Sequence, residues 1–174
     1  ALALLNRVPT KDLDCKAMLA DARDMRLPEH STDIVFCHPP YFGLYRFSAD
    51  VLRFELEIGG WDRPTIARQE VAEGWKSGDA TLLEEHVSDM ANVMQEVRRV
   101  LCSTGVFCLV TSNSTLGNEQ LPVVERLVQR ARNVGLRLRR HIVRNAHFGS
   151  ASYHKSARSD KVITRDHVLV FQVC

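Results

Sequence analysis

The 174-residue sequence lacks the features that mark several classes of protein. No run approaches the roughly 18 consecutive apolar residues that a membrane-spanning helix requires, so no membrane partner is expected. The five cysteines form no C-x-x-C pair, and their odd number argues against a complete disulfide framework. We therefore expect no metal site, and a reducing cytoplasm is the simplest setting for the protein.

The sequence also lacks a strong net charge, since its formal value is +2. The distribution of charge is more informative, because residues 126–165 are rich in Lys, Arg and His whereas residues 46–89 lean acidic. This asymmetry fits a surface that faces a polyanion, although a solvated basic helix explains it equally well. Hydrophobic residues make up 45% of the chain, which suits one globular domain over residues 1–174.

Apolar runs alternate with helical periodicities along the chain. The continuous run 34–37 predicts a strand buried on both faces, and a shorter strand is predicted at 16–19, leading to Asp21. Residues 42–79 lack a dominant period, which predicts an irregular insertion with short helices that shapes the target pocket. The remaining predictions are helices over 80–101 and 121–134, the latter ended by Gly135, and strands over 106–111, 136–143 and 166–173.

These elements predict an α/β fold. Strands that alternate with helices imply a mostly parallel sheet covered on both faces, and the last two strands can pair antiparallel because no helix separates them. In an open sheet of this kind, ligands bind beyond the carboxyl ends of the strands. Asp21 and His38 both follow predicted strands and should lie there.

The tetrad His38-Pro39-Pro40-Tyr41 carries the strongest chemical signal in the sequence. The two prolines stop the preceding strand and hold the backbone extended. The Pro39 carbonyl and the His38 side chain could accept hydrogen bonds from an –NH2 group and orient its lone pair, which is catalysis by positioning. Tyr41 offers a face for a flat base, a contact worth ~1–3 kcal/mol. A Pro-Pro turn with a buried tyrosine is the structural alternative.

The sequence around this tetrad resembles that of DNA amino-methyltransferases. The segment CKAMLADARDMRLPEHSTDIVFCHPPY is similar to the family's acidic strand end and [D/N/S]-P-P-[Y/F] motif, and EVRRVLCSTGVFCLV is similar to its E-x-x-R-V-L-K-x-G-G element. The likeness continues through FGLYRFSADVLRFELEIGGW and the closing RDHVLVF. It implies part of a Rossmann-like, S-adenosylmethionine-dependent methyltransferase, of the kind found in restriction-modification systems, that methylates adenine N6 or cytosine N4 in DNA.

The resemblance also implies roles for individual residues. The target amine would be held by His38 and the Pro39 carbonyl, with Tyr41 stacked on a base flipped out of the duplex. The adenine end of S-adenosylmethionine would lie against Asp21. The catalytic assignments are His38, Pro39, Pro40 and Tyr41. The cofactor-binding assignments are Asp21, Ala22, His38 and Asn113.

The sequence departs from the family in two places. The family usually has Asp, Asn or Ser where His38 stands, and a histidine accepts a hydrogen bond only when its ring is neutral. The family's glycine-rich cofactor loop is also missing, since no G-x-G occurs in the chain. The missing parts should precede Ala1 or follow Cys174, or the chain is half of a split enzyme or a domain without cofactor binding.

The basic segment 141–161, in which aromatic residues are interleaved with basic ones, is a candidate surface for DNA, with RNA as an alternative. A mobile basic loop of this kind could contact phosphates and bases, although a solvated hairpin loop is the structural alternative. The nucleic-acid-binding assignments are Arg46, Arg144, His154, Lys155, Arg158 and Lys161. His86, on the predicted long helix, is expected at the surface.

The best hypothesis from sequence is a DNA amino-methyltransferase that uses S-adenosylmethionine. Related tetrads also serve enzymes that methylate guanine in RNA or glutamine in proteins, so the substrate stays open. A non-catalytic nucleic-acid-binding remnant is a further alternative, favoured by the missing glycine loop and opposed by the complete tetrad. A homodimer or a complementary half is expected to cover the unpaired edge of the sheet.

Overall fold

The computed structural model describes residues 15–42, 52–70, 81–116, 119–145 and 165–174. The helices in these ranges are α1 (Arg53–Ile58), α2 (Arg63–Gln69), α3 (Thr81–Val100) and α4 (Val123–Asn133). The strands are β1 (Thr32–Cys37), β2 (Leu101–Thr111), β3 (Ser114–Leu116), β4 (Glu119–Leu121), β5 (Leu136–Asn145) and β6 (Arg165–Val173). The main helices and strands therefore lie where the sequence patterns predict them, with shifted ends.

Four strands form a mixed sheet in the order β1-β2-β6-β5. The α/β class and the antiparallel pairing of the last two strands are confirmed. The expectation of a mostly parallel sheet is wrong for the described strands, because only β1 and β2 pair in parallel. The reason is that β6 lies between β2 and β5 and runs antiparallel to both.

The hydrophobic core lies between one face of this sheet and the helices α3 and α4. The apolar positions that recur at spacings of three and four along α3, such as Val87, Met90 and Met94, are buried. They belong to the same core cluster as Phe107 of β2 and Phe171 of β6, whose stacked rings have centroids 5.7 Å apart. These two aromatic side chains are thus fully buried.

The opposite face of the sheet is exposed at β1. Ile34 and Phe36 are 69% and 67% exposed. They share this face with Val106 and Cys108, their register partners on β2. The expectation that β1 is buried on both faces is therefore wrong, because β1 is an edge strand and no described helix covers these two side chains.

The predicted strand at 16–19 is also not formed. Residues 15–20 have no regular structure, and Leu19 is almost fully exposed. Asp21 instead lies in a tight turn, joined to Asp24 by an isolated bridge and by an N–H···O bond of 2.9 Å. None of the described strands pairs with residues 15–20, so this segment joins no ladder in the described part of the chain.

Two short helices, α1 and α2, lie in the predicted insertion 42–79. Within this insertion the structure describes residue 42 and residues 52–70. Its role in shaping a pocket stays a prediction. Gly135 ends α4 as expected, with a φ of 84° that favours glycine. No helix in the described ranges is both long and apolar enough to cross a membrane.

Candidate functional site

The tetrad leaves the sheet at the carboxyl end of β1. Because β2 runs parallel to β1, its last residue, Thr111, lies at the same end. Because β6 runs antiparallel to β2, with Thr111 paired to His167, the first residues of β6 lie there too. The end of β1 and the beginning of β6 therefore lie at the same end of the sheet, although Tyr41 and Asp166 are 125 positions apart in the sequence.

A hydrogen-bonded chain of side chains joins these strand ends. His38 Nε2 lies 3.0 Å from Tyr41 Oη, and the two rings meet edge to face at 88° with centroids 5.2 Å apart. The Tyr41 hydroxyl donates to Asp166 Oδ1 at 3.2 Å. Arg144 Nε donates to Asp166 Oδ2 at 3.1 Å, and an Arg144–Asp166 ion pair reinforces this contact. The tetrad is thus tied to β5 and β6 through a buried carboxylate.

Burial and the nearby Asp166 carboxylate raise the pKa of Tyr41 to about 12. The phenol therefore keeps its proton across the neutral range and acts as a hydrogen-bond donor. The hydrogen bond with Asp166 raises the pKa of Arg144, which stays charged. The half-buried Tyr41 and the exposed His38 thus lie beside an ion pair between a buried carboxylate and an exposed guanidinium.

Asp166 is the site residue that sequence reasoning missed. Its side chain is buried, being only 6% exposed, yet the sequence shows it only as the acidic residue that opens the closing apolar strand. An acidic residue between two basic ones, Arg165 and His167, at a strand end was the available signal. That signal does not identify Tyr41 as its partner.

Asp21, assigned to the cofactor, is engaged within its own turn. Its carboxylate accepts hydrogen bonds from the backbone N–H of Arg23 at 2.8 Å and from the Arg23 guanidinium. These bonds lower the pKa of Asp21. Arg23 also donates to Asp89 of α3 at 3.1 Å, which anchors the turn to the helix. Ala22 lies exposed in the same turn.

Asn113, the other residue assigned to the cofactor cleft, supports a helix end. Its Oδ1 accepts a hydrogen bond of 2.9 Å from the backbone N–H of Val124, in the first turn of α4. This bond satisfies one of the donors that a helix N-terminus leaves unpaired. The described structure thus gives Asn113 a local structural role.

His86 is buried, so the expectation of a surface position is wrong. The residue is 1% exposed, and its ring centroid lies 5.4 Å from that of Phe42, which follows the tetrad directly. Its Nδ1 has no hydrogen-bond partner within the described structure. Burial lowers the pKa of His86 to about 4, opposed weakly by the charge of Asp89. A neutral imidazole therefore supports the chain just beyond the tetrad.

Among the nucleic-acid-binding assignments, Arg144 is on β5 with an exposed side chain paired to Asp166. The other five lie outside the described residues. These are Arg46, His154, Lys155, Arg158 and Lys161. Their role stays a prediction.

The described residues fit an amine acceptor better than a whole S-adenosylmethionine. The tetrad presents an exposed imidazole beside a fixed backbone, which suits a small polar group. The sequence offers no G-x-G turn to approach the methionine part of the cofactor, and the Asp21 carboxylate is already held by Arg23.

Comparisons with known proteins agree with this architecture. No protein-family profile matches the chain, and no curated protein sequence matches it. TTHA0409 of Thermus thermophilus, provisionally described as a DNA modification methylase and solved with S-adenosyl-L-methionine, is 18% identical with a TM-score of 0.57 over 89% of this chain and 51% of its own. The PvuII cytosine-N4-specific DNA methyltransferase is 14% identical with a TM-score of 0.56 over 88% of this chain and 47% of its own.

The likeness to these structures concerns the fold, since their sequences are 18% and 14% identical to this one. The chain spans about half the length of each of them. The mixed α/β sheet of this chain thus has a fold similar to that of these two proteins.

Proposed function

We propose that this chain supplies the acceptor-binding side of an S-adenosylmethionine-dependent methyltransferase that acts on the exocyclic amine of a DNA base, adenine N6 or cytosine N4. The observation that carries the proposal is the exposed His38 at the carboxyl end of β1, hydrogen-bonded to Tyr41 within a rigid Pro-Pro turn. This arrangement offers hydrogen-bond acceptors to an –NH2 group beyond the carboxyl ends of the parallel strands, where ligands of open α/β folds bind.

In the proposed reaction the chain mainly positions the acceptor. The Pro39 carbonyl and a neutral His38 each accept a hydrogen bond from the amine, which directs the nitrogen lone pair away from the protein and toward the methyl donor. The half-buried Tyr41 ring lies beside His38 and can stack on the extruded base. When bound, S-adenosylmethionine supplies a methyl group already activated on a sulfonium.

Transfer of a radiolabelled methyl group from S-adenosylmethionine tests the proposal. The purified chain is incubated with duplex DNA, RNA or protein acceptors, and labelled bases are separated as N6-methyladenine and N4-methylcytosine. Label in either DNA base supports the proposal. Label confined to RNA or protein contradicts the DNA assignment and favours one of the related activities. Calorimetric titration with S-adenosylmethionine shows separately whether the chain binds the cofactor alone.

The basic segment is proposed to contact DNA phosphates. In that case Arg158→Ala should weaken DNA binding at low salt by a similar factor for every sequence, and the slope of log K against log salt should become about one unit shallower. Fluorescence anisotropy at several salt concentrations measures both quantities. Arg139→Ala, a β5 surface residue bonded to Gln172, is the matched control and should leave both unchanged. Equal affinity of Arg158→Ala and the original chain at low salt would refute the contact.

We further propose that the exposed β1 face packs against the complementary part of a methyltransferase sheet, in the same or another polypeptide. Two observations support this, namely the exposed Ile34 and Phe36 and the coverage of only about half of TTHA0409. Exposed apolar side chains next to a strand edge that no described strand pairs with also favour self-association of the chain when it is alone.

Phe36→Asp should therefore suppress self-association of the isolated chain, seen by sedimentation velocity, while changing its stability by less than about 0.5 kcal/mol because the side chain is already exposed. Phe54→Asp on α1 is the matched control, since Phe54 is 69% exposed, close to the 67% of Phe36, but lies off the sheet. If both variants associate like the original chain, the β1 face is not the contact surface.

A further inference from the structure

The hydrogen bonds that link His38, Tyr41 and Asp166 all donate in one direction, toward Asp166. A carboxylate has no proton to give and can only accept hydrogen bonds. Both of its oxygens are used, since Oδ2 accepts from Arg144 and Oδ1 faces the Tyr41 hydroxyl at 3.2 Å. Asp166 is buried, and its carboxylate also forms an ion pair with Arg144.

Tyr41 passes this direction on to His38. Its hydroxyl carries one proton, and the Asp166 carboxylate accepts the hydrogen bond that this proton makes. Tyr41 Oη can then only accept from its second neighbour, His38 Nε2, which lies 3.0 Å away. The ring nitrogen at this contact must therefore carry a hydrogen, because two lone pairs facing each other would repel.

We propose that Asp166 is a positioning residue that holds His38, through Tyr41, in the tautomer with the proton on Nε2 and the lone pair on Nδ1. Nδ1 is then the ring nitrogen able to accept a hydrogen bond from a substrate amine. The link to the amine rests on the proposed function, whereas the tautomer follows from the described side chains alone. His38 thereby gains the acceptor that Asp, Asn or Ser supplies with an oxygen.

Removing the carboxylate should reverse the direction of the hydrogen bond between Tyr41 and His38. In Asp166→Ala the Tyr41 hydroxyl loses its acceptor and can donate to His38 Nε2 instead. The imidazole proton then moves to Nδ1, and the acceptor lone pair becomes tied to Tyr41. Arg144→Ala is the matched control, because it removes the ion-pair partner but leaves the carboxylate that accepts from Tyr41.

Long-range nitrogen-15 NMR of the histidine-labelled chain measures the tautomer, at a pH high enough to keep the rings neutral. The His38 signals are identified by their loss in His38→Asn. We expect the Nε2–H form to exceed the Nδ1–H form by about tenfold or more in the original chain and in Arg144→Ala, since a hydrogen bond to a hydroxyl that is itself bonded to a carboxylate sets this preference. In Asp166→Ala the ratio should fall below one.

Tyr41→Phe keeps the proposal testable if Asp166→Ala fails to fold, because it removes only a hydroxyl and should lower the ratio of Nε2–H to Nδ1–H toward that of a free histidine side chain. An Nδ1–H form in the original chain, or an unchanged ratio in Tyr41→Phe or in a folded Asp166→Ala, would overturn the proposal. The spectrum needs neither cofactor nor DNA. An Nε2–H tautomer in a chain that methylates nothing would therefore count against the proposed function and leave the role of Asp166 standing.

Discussion

Replacing His38 by alanine should lower the rate of methyl transfer about 100-fold, the size of effect expected when a positioned reacting group loses its orientation. The variant keeps the Pro-Pro turn and the Asp166–Arg144 ion pair, so the fold at the end of β1 should survive. What disappears is the side-chain acceptor for the substrate amine. The measurement is kcat for labelled methyl transfer, with KM for DNA determined in parallel.

His38→Asn is the matched control for this prediction. An asparagine amide oxygen accepts hydrogen bonds but does not titrate, and asparagine is one of the residues that the related motif carries at this place. His38→Asn should thus retain most of the activity lost in His38→Ala. A fully active His38→Ala would refute the role of His38.

The position of the tetrad could be predicted because the signals for it are local. The apolar run before His38 predicts a strand, although not that one of its faces is exposed, and the two prolines that follow it end that strand. The helix over Thr81–Val100 was equally predictable from the sequence, since its apolar side chains recur at helical spacing along its whole length. Patterns of this kind depend on neighbours in the sequence and not on the rest of the fold.

The partners of the tetrad could not be predicted in this way. Tyr41 and Asp166 are 125 positions apart and meet only because β6 inserts beside β2. The sequence of an apolar strand does not determine which other strand it pairs with. The apolar run of β1 likewise indicates a strand made for two covered faces, whereas the described structure covers one. That mismatch is a property of the tertiary arrangement, and it motivates the proposed complementary part.

His86 shows the same limit for a single helix position. Its polarity predicts a surface site, but it lies one turn before Met90 on the apolar side of α3 and packs against Phe42. The burial of a neutral ring there has an energetic consequence that can be measured. A folded-state pKa of about 4 lies below the ordinary value of 6.5, so the unfolded chain binds a proton more readily than the folded one.

The sign of the pH dependence follows directly. The stability associated with His86 is complete above about pH 6.5, declines as pH falls through 6.5, and is lost by about pH 4. A shift of this size amounts to roughly 3 kcal/mol of unfolding free energy between about pH 7.5 and about pH 4. Urea unfolding at closely spaced pH values measures the loss.

His86→Leu should remove that decline, because leucine keeps an apolar side chain in the buried position and has no proton to bind. Between about pH 7.5 and about pH 4, the variant should lose about 3 kcal/mol less unfolding free energy than the original chain. Carboxylates such as Asp21 also lose stabilising contacts in acid, but they do so in both proteins and cancel in the difference. His38→Asn, at an exposed histidine, should retain the full decline. Parallel curves for His86→Leu and the original chain would mean that the His86 ring titrates as freely when folded as when unfolded, and that Phe42 does not shield it from water.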